Sequence, residues 1–290
     1  MTAVQAALSG ALIGGLYALM AAGLSVTWGT LRVINLAHFG LILVGAYLSY
    51  QLTSAWGIDP MLTLLVSAPA LFVVGAALQW AYERFNIVEF NSLLVSFGLL
   101  MIIIEVSTQV WTADFRHIDA AANPYGTSAL HLGPVALPVS RLVALGFALL
   151  LIGGGHLVLE RTFAGRGLRA FAQDRTVAAS FGIDHRRLGL VVGGLAGVSA
   201  AVAGMVFALG NTIAPAHAYE WFGTVFAVVI LGGIGNLLGS LFAGLGVGAF
   251  SAVVAVLWDP SYEPFVLFLA IILALVLRPQ GLFTRRGAVA

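Results

Sequence analysis

The chain has 290 residues, of which 60% are hydrophobic and only 9% are charged. Soluble domains carry about a quarter charged residues, so this composition predicts a protein with many membrane-spanning segments. The net charge of +1 gives no argument for nucleic-acid binding, and the absence of cysteine excludes disulfides and thiol catalysis. The sequence also lacks lysine, which excludes a phosphate-binding P-loop and Schiff-base chemistry. If ATP drives this protein, another chain must hydrolyse it.

Apolar runs of roughly 20 residues can cross a bilayer as helices. The sequence predicts eight such spans, and we interpret residues 1–290 as a single all-α transmembrane helix bundle, in which the first run is a span and not a cleavable signal. The spans lie at about 6–28, 36–54, 61–81, 91–111, 139–159, 188–210, 236–257 and 264–278. A shorter apolar segment at 222–234 is too short to cross comfortably, which predicts a re-entrant or broken helix there.

Arginines in short loops predict the orientation, because they concentrate on the cytoplasmic side. The loop at 160–187 and the tail from Arg278 hold nine of the thirteen arginines, so both are predicted to be cytoplasmic. The alternating spans then place the turns at 29–35 and 83–84 inside, and the segments at 55–60, 112–138 and 211–221 outside. The loop at 112–138 is polar and rich in glycine and proline, which predicts an irregular exposed loop that either contacts an external partner or merely connects two spans.

Several of the 35 glycines stand four residues apart, a spacing that lets helices approach closely in lipid. These pairs are Gly10/Gly14, Gly193/Gly197, Gly235/Gly239 and Gly244/Gly248. Two stretches also share a pattern of glycine, asparagine and further glycines inside an apolar run, at 29–45 and 232–248. Paired glycine-interrupted segments in two halves of a chain are typical of a transporter's translocation path.

Asn35 and His38 are polar residues at the start of an otherwise apolar span, where facing lipid would be expensive. Because they are three residues apart, a helix would place them on one face. One interpretation is that they line a pathway or stabilise a helix break. The other is that Asn35 caps the span while His38 bonds to a neighbouring helix.

Other ionisable residues carry weaker signals. Glu105 lies within a span, where it is either a proton-relay residue or the partner of an arginine such as Arg141. His156 lies near a cytoplasmic helix end, where a cation suits the helix dipole. His217 and Glu220 lie in a short external segment and are expected to be exposed to solvent. The sequence contains no HExxH or GxSxG motif and no paired carboxylates at a useful spacing, so it does not favour an enzyme.

The arginine-rich loop at 160–187 contains a stretch without proline, 166–180, that predicts a short amphipathic helix. Gly182 supplies a C-terminal stop signal. The apolar positions of this helix are Leu168, Phe171, Ala172 and Ala179. Such a helix either lies on anionic lipid, belongs to a plain positive loop, or protrudes as a lever that contacts a separate ATPase.

Five segments, taken in order, resemble one family. Four of them resemble permeases of branched-chain amino acid ABC importers, the LivH type. They are RVINLAH at 32–38 with GAYLS at 45–49, the loop GRGLRAFAQDRTVAASFGID at 165–184, AVVILGGIGNLLGSLFAGLGVG at 227–248 and LRPQGLF at 277–283. GGLYALMAAGLSVTWG at 14–29 is similar to that family's first helix. The resemblance covers nearly the whole chain.

The resemblance implies a multi-pass permease of a bacterial inner membrane with four kinds of partner: a related second permease, two cytoplasmic ATPases, a periplasmic solute-binding protein and the lipid bilayer. It implies no cofactor in this chain, since ATP and magnesium belong to the ATPases. The implied ATPase-coupling residues are Arg166, Gly167, Arg169, Asp174, Arg175, Gly182 and Ile183. The implied pathway residues are Asn35, His38, Gly40, Gly232, Gly233, Gly235 and Asn236.

The chain departs from the family pattern at three places, which leaves the substrate open among branched-chain or other amino acids, urea, amides and carboxylates. Phe39 intervenes before Gly40, the segment at 85–90 lacks the usual basic run, and Ser96 stands where threonine is usual. A rival interpretation from another class is a stand-alone secondary transporter or channel that uses Glu105. A third is a membrane scaffold that moves no substrate.

Overall fold

The structure is a computed structural model that describes residues 3–87, 89–126, 128–132, 135–180, 184–258, 260–278 and 281–283. These residues form eleven α-helices: α1 (Ala3–Val26), α2 (Ala37–Trp56), α3 (Leu64–Arg84), α4 (Glu89–Trp111), α5 (Val139–Arg161), α6 (Phe163–Gln173), α7 (Arg175–Ser180), α8 (His185–Gly210), α9 (His217–Gly232), α10 (Leu237–Leu257) and α11 (Glu263–Leu277). A π-helical turn, Thr27–Leu31, extends α1, and a 3-10 turn, Pro260–Tyr262, precedes α11.

The predicted all-α membrane bundle is confirmed, and a helix covers every predicted apolar segment. Within the described residues, six helices are long and apolar enough to cross a membrane: α1 with its π turn, α3, α4, α5, α8 and α10. The more polar α2 has 20 residues and forms the centre of the bundle, where Phe39, Ile42 and Tyr47 are fully buried. Its polar residues are tolerated because protein rather than lipid surrounds them.

The short segment predicted at 222–234 belongs to a longer helix, α9, which begins at His217. This helix starts beside Phe115 of the long loop and ends at Gly232, close to where Leu282 of the tail donates a hydrogen bond from its amide to the Leu231 carbonyl. Residues 217–232 therefore form one continuous helix, and the chain breaks only at the end of the predicted segment, at Gly233. The segment is not re-entrant, since it does not return to the end from which it started.

The bundle has two distinct ends, which we call the arginine-rich end and the loop end. At the arginine-rich end, the turn after α1, the end of α3 and the helix α6 share one apolar cluster that includes Leu31, Tyr82 and Phe171. At the loop end, Arg116 and Ile213 form a backbone bridge and the Tyr125 hydroxyl donates to Asp59 Oδ2 at 3.0 Å. This grouping agrees with the sides predicted from the arginines.

The loop end contains one element that the sequence did not predict. Strands β1 (Ala129–Leu132) and β2 (Val135–Pro138) form an antiparallel hairpin, so the loop at 112–138 is not irregular throughout. Elsewhere in the described part of this loop, the Asn123 side-chain amide donates to the Leu209 carbonyl at 2.9 Å, which attaches the loop to α8. The hydrogen bond from Tyr125 to Asp59 raises the pKa of Tyr125, because the nearby carboxylate disfavours a second negative charge.

The predicted glycine pairs lie where two helices pack closely against each other. Gly10 and Gly14 of α1 face Gly244 and Gly248 of α10, and a Cβ atom on Gly244 would lie 2.7 Å from the Gly14 carbonyl oxygen. The pair Gly193/Gly197 of α8 likewise faces the backbone of α3 around Gly75. Small residues are needed because the two backbones themselves are in contact. The predicted packing role of these three pairs is confirmed. It was wrong for Gly235/Gly239, because Gly235 lies between two helices with a φ angle of 81°.

This contact predicts opposite outcomes for two glycines of α10. Gly244→Leu forces a side chain into the backbone of α1, and overpacking costs about 1–3 kcal/mol or more. Gly246→Leu is the matched control, since a Cβ atom there meets nothing within 4 Å. Thermal unfolding in detergent should show a lower midpoint for Gly244→Leu alone. Equal midpoints for the two variants would contradict the proposed contact.

Candidate functional site

The chain breaks its helix immediately after α1. Thr27 and Thr30 donate hydroxyl hydrogen bonds to carbonyls of the preceding turn, the helix widens into a π turn, and Arg32 takes a left-handed conformation with φ 54°. Residues 32–36 then run without helical structure until α2 begins. Single π turns inside helices frequently occur at functional sites. We call Thr27–Leu36 the first break.

Two serines of α4 satisfy the backbone of the first break. The Ile34 amide donates to Ser92 Oγ at 3.1 Å, and the Leu36 amide donates to Ser96 Oγ at 2.9 Å. The Ser96 hydroxyl also lies 3.1 Å from the Ile34 carbonyl oxygen. Non-helical backbone at membrane depth is tolerated only where protein or enclosed water satisfies its polar groups. The hydrogen bonds of Ser92 and Ser96 therefore stabilise the non-helical backbone of the first break.

Asn35 and His38 are both buried against neighbouring helices. Asn35 Oδ1 accepts a hydrogen bond from the Tyr82 hydroxyl at 3.2 Å, and His38 Nε2 lies 3.0 Å from the Met20 carbonyl oxygen. These contacts tie the first break to α3 and the start of α2 to α1. His38 therefore bonds to a neighbouring helix, as the second interpretation predicted, whereas the prediction that Asn35 caps the span was wrong, because its side chain bonds to α3 instead. A direct role in the pathway stays a prediction.

A second break separates α9 from α10. Gly233 and Gly235 have φ angles of 89° and 81°, a region that favours glycine because it has no Cβ atom. Asn236 caps α10, accepting from the Gly239 amide at 2.9 Å and donating to the Phe283 carbonyl at 3.1 Å. Gly232 lies against Ser240, where a Cβ atom would be 2.6 Å from the backbone nitrogen. We call Gly233–Asn236 the second break.

The two breaks touch each other. A Cβ atom on Gly235 would lie 3.0 Å from the Gly29 Cα atom, and the Gly235 amide donates to Ser25 Oγ at 3.2 Å. Ser240 adds a hydroxyl hydrogen bond to the same Ser25 oxygen. The two stretches with the shared glycine and asparagine pattern therefore meet at the arginine-rich end. Gly40 lies apart from this contact and faces α4, where a Cβ atom would be 3.0 Å from the Ile103 side chain.

The predicted helix in the arginine-rich loop is two helices, α6 and α7, which join at Asp174. Thr162 caps α6 by accepting a hydrogen bond from the Gly165 amide at 3.0 Å. Asp174 leaves helical geometry with φ −148°, which ends the first helix earlier than predicted. The short polar side chain of aspartate is typical of helix ends rather than interiors. Gly182 and Ile183 lie outside the described residues.

The apolar face of α6 packs on the first break. Leu168 and Phe171 are buried, as predicted, and they share an apolar cluster with Leu31, Val33 and Tyr82. The prediction for Ala179 was wrong, because Ala179 is exposed while its neighbour Ala178 is buried. The turn at Asp174 changes which face of the chain points inward. This packing gives α6 a direct mechanical contact with the first break.

The charged residues of α6 lie away from that contact. Arg166 and Arg169 are exposed, while Gly167 between them is half-buried. The Arg166 guanidinium lies 6.0 Å from the Phe163 ring centre, and Arg169 reaches the Glu160 carbonyl at 3.4 Å. Both arginines therefore remain available to an external surface. Arg175 opens α7.

Several of the remaining ionisable residues lie in surroundings other than those predicted. Glu105 is exposed and accepts a hydrogen bond from Gln109 at 3.0 Å, while Arg141 donates to Ser9, so the alternative of a Glu105–Arg141 pair was wrong. Glu220 is exposed as expected, but the His217 side chain is only 17% exposed. The predicted position in a short external segment gave no sign of this burial, which comes from the rings of Phe115, Phe207 and Trp221.

Comparisons with known proteins agree with this architecture. The family described as "Branched-chain amino acid transport system / permease component" matches residues 6–275. The chain belongs to this family. No solved structure matches the chain.

Relatives of this permease family cover nearly the full length of the chain. The high-affinity branched-chain amino acid transport system permease protein BraD of Pseudomonas aeruginosa is 26% identical over 97% of this chain and 96% of its own length. LivH of Escherichia coli K12 is 25% identical with the same coverage. The probable permease LivH of Methanocaldococcus jannaschii is 30% identical over 85% of this chain and 80% of its own length.

The first break predicts different outcomes for two buried serines of α4 in this permease. Ser96→Ala removes the partner of the Leu36 amide, and an unsatisfied buried amide costs about 1–3 kcal/mol. Ser107→Ala is the matched control, because the Ser107 hydroxyl has no hydrogen-bond partner among the described residues. Hydrogen exchange of the peptide around Leu36, with thermal unfolding, should report the loss in Ser96→Ala alone. Unchanged exchange in that variant would rule out the role of Ser96.

Proposed function

We propose that this chain is the membrane-spanning permease subunit of an ATP-driven importer for a small solute such as a branched-chain amino acid. The observation that carries the proposal is the packing of α6, which lays Leu168 and Phe171 on the first break and leaves Arg166 and Arg169 exposed. One face of α6 is bound to the bundle and the other is charged. A partner that binds the charged face can therefore displace the helix and, with it, the first break. The transport-system names of BraD and LivH support the solute.

In the proposed mechanism, two cytoplasmic ATPases bind ATP and magnesium and close on each other, and this chain contributes no cofactor. Their movement displaces α6, which transmits it through Phe171 to Leu31 and Val33 of the first break. The contact between Gly29 and Gly235 passes the displacement to the second break. Two helix interruptions that meet are natural hinges, since each lacks the continuous hydrogen bonds that stiffen a helix. Alternating access follows from movement about them.

A related second permease completes the proposed pathway, and α4 supplies a surface for it. This helix carries Glu105 in the middle of an exposed apolar face formed by Met101, Ile102 and Val106. A carboxylate facing lipid would be expensive, whereas a contact with another subunit or a shared cavity removes that cost. The same position disfavours the rival in which Glu105 is a relay inside a stand-alone secondary transporter.

A periplasmic solute-binding protein delivers the solute in this proposal. The protein lies in a bacterial inner membrane, with α6 and the C-terminal tail in the cytoplasm and the hairpin of β1 and β2 outside. The concentration of arginines at the end that holds α6 and Arg278 supports this orientation.

Co-purification from native membranes tests the assembly. The expected result is recovery of this chain with a second permease and two ATPases, whose matching binding protein then identifies the solute. Isolation of this chain alone, with transport retained in liposomes lacking ATP, would overturn the proposal. In that case Glu105→Gln should abolish the transport.

Docking on the ATPases depends on the exposed charge of α6. Arg169→Glu is expected to release the ATPases and abolish uptake while the permease stays in the membrane, because the surface that meets them then repels its partner. His117→Glu is the control at the loop end, where the histidine side chain is 67% exposed. The measurement is recovery of ATPase with the tagged permease. Equal recovery for both variants would count against a docking role of α6.

Transmission of the ATPase movement to the first break depends instead on the buried face of α6. Phe171→Ala leaves the arginines in place but loosens the contact with the first break. We expect the ATPases to remain bound and to hydrolyse ATP, with uptake per ATP markedly reduced, because truncation removes most of the apolar packing between α6 and the first break. The ratio of solute transported to ATP hydrolysed in proteoliposomes checks this. An unchanged ratio would refute transmission through Phe171.

A further inference from the structure

A cavity of about 380 Å³ lies near the loop end, between α1, α5, α8 and α9. Ligand pockets in proteins usually measure about 300–1,000 Å³, so this space is large enough for a small solute. One wall is apolar and aromatic, with Leu16, Val206, Phe207 and Trp221. Ionisable and polar side chains complete the lining, including Arg141, His217, Glu220 and Thr224. The cavity combines an apolar wall with both signs of charge.

Arg141 supplies the positive charge of this cavity. It is half-buried in the first turn of α5, where its guanidinium donates to Ser9 Oγ. Among the described residues it forms no ion pair. The first turn of a helix is the positive end of its dipole, which disfavours a cation. A half-buried arginine placed against the dipole and without a carboxylate therefore gains most from an anion that enters the cavity.

Glu220 supplies the negative charge, and the His217 ring lies beside it. His217 Nδ1 accepts a hydrogen bond from the Ala214 amide at 3.1 Å, so its proton resides on Nε2, which lies 3.8 Å from Glu220 Oε2. The His217 ring packs edge-on against Phe207 and stacks on Trp221. The C-terminal end of α8 at Gly210 adds the negative end of a helix dipole to the same lining.

We infer that this cavity binds an α-amino acid as a zwitterion on its way through the permease. Arg141 receives the carboxylate, Glu220 receives the ammonium group, and Phe207, Trp221 and Val206 receive an apolar side chain. This inference rests on the proposed transport function and adds the binding groups and their location. The groups stand at the loop end, opposite α6, where solute from outside would first enter.

The absence of cysteine from the chain allows a direct test. Thr224→Cys places one thiol in the cavity wall, and its reaction with an anionic methanethiosulfonate is followed on this chain, in the whole transporter in vesicles. Leucine should slow the reaction, whereas leucinamide, which lacks the carboxylate, should not. Asp119→Cys is the matched control, because the Asp119 side chain is 81% exposed at the same end. Its thiol should react equally fast with and without leucine.

A second variant assigns the carboxylate to Arg141. In Thr224→Cys with Arg141→Gln, the concentration of leucine needed for protection should rise about tenfold or more, since a hydrogen bond to a charged group contributes about 1.5–3 kcal/mol. Arg141→Lys should restore part of the protection by returning the charge. Equal protection by leucine in the presence and absence of Arg141 would overturn the assignment. No protection at Thr224→Cys in a transporter that takes up leucine would overturn the inference while leaving the proposed function intact.

Two further outcomes are distinguishable. If Arg141 binds a lipid phosphate, the labelling rate will depend on the anionic lipid content of the vesicles and not on leucine, which contradicts the inference. If the wild-type assembly takes up no amino acid with ATP, the proposed function itself fails. Uptake with ATP and protection of Thr224→Cys by leucine together support both.

Discussion

A broken helix must find hydrogen-bond partners for its own backbone, and this constraint organises the arginine-rich end of the molecule. The amides of Ile34 and Leu36 lie outside any helix, so Ser92 and Ser96 of α4 provide the hydrogen bonds. The second break meets the same demand through Asn236 and Ser25. The hydrogen bonds that these polar side chains form with the backbone thus explain their presence in the helices, without any contact with a solute.

Because each break is satisfied by a different neighbour, their positions are coupled. The first break is bonded to α4 and α3, while its Gly29 touches Gly235 of the second break. The helix α6 adds an apolar contact from outside the membrane. A displacement at α6 therefore reaches two interruptions through packed side chains and backbone contacts, without a long chain of intermediate residues.

Sequence alone predicted the helices and the glycine contacts, because both depend on local pattern. Apolar runs of sufficient length mark the helices, and a four-residue glycine spacing marks the faces that meet, as Gly14 and Gly244 do. The serine partners of the first break were not predicted, since Ser92 and Ser96 look like ordinary residues of a span and lie about sixty positions away. The burial of His217 and the turn at Asp174 likewise depend on tertiary contacts. The candidate cavity draws on four helices, which no local pattern joins.

The glycine contact between α1 and α10 also has a consequence for biosynthesis. Gly10 and Gly14 emerge at the start of translation, but their partners Gly244 and Gly248 follow more than two hundred residues later. At roughly 5–20 residues per second, α1 waits on the order of 10 to 50 seconds for α10. During that interval its narrow glycine face is open to lipid or to other helices. The last quarter of the chain thus decides when the first helix acquires its permanent neighbour.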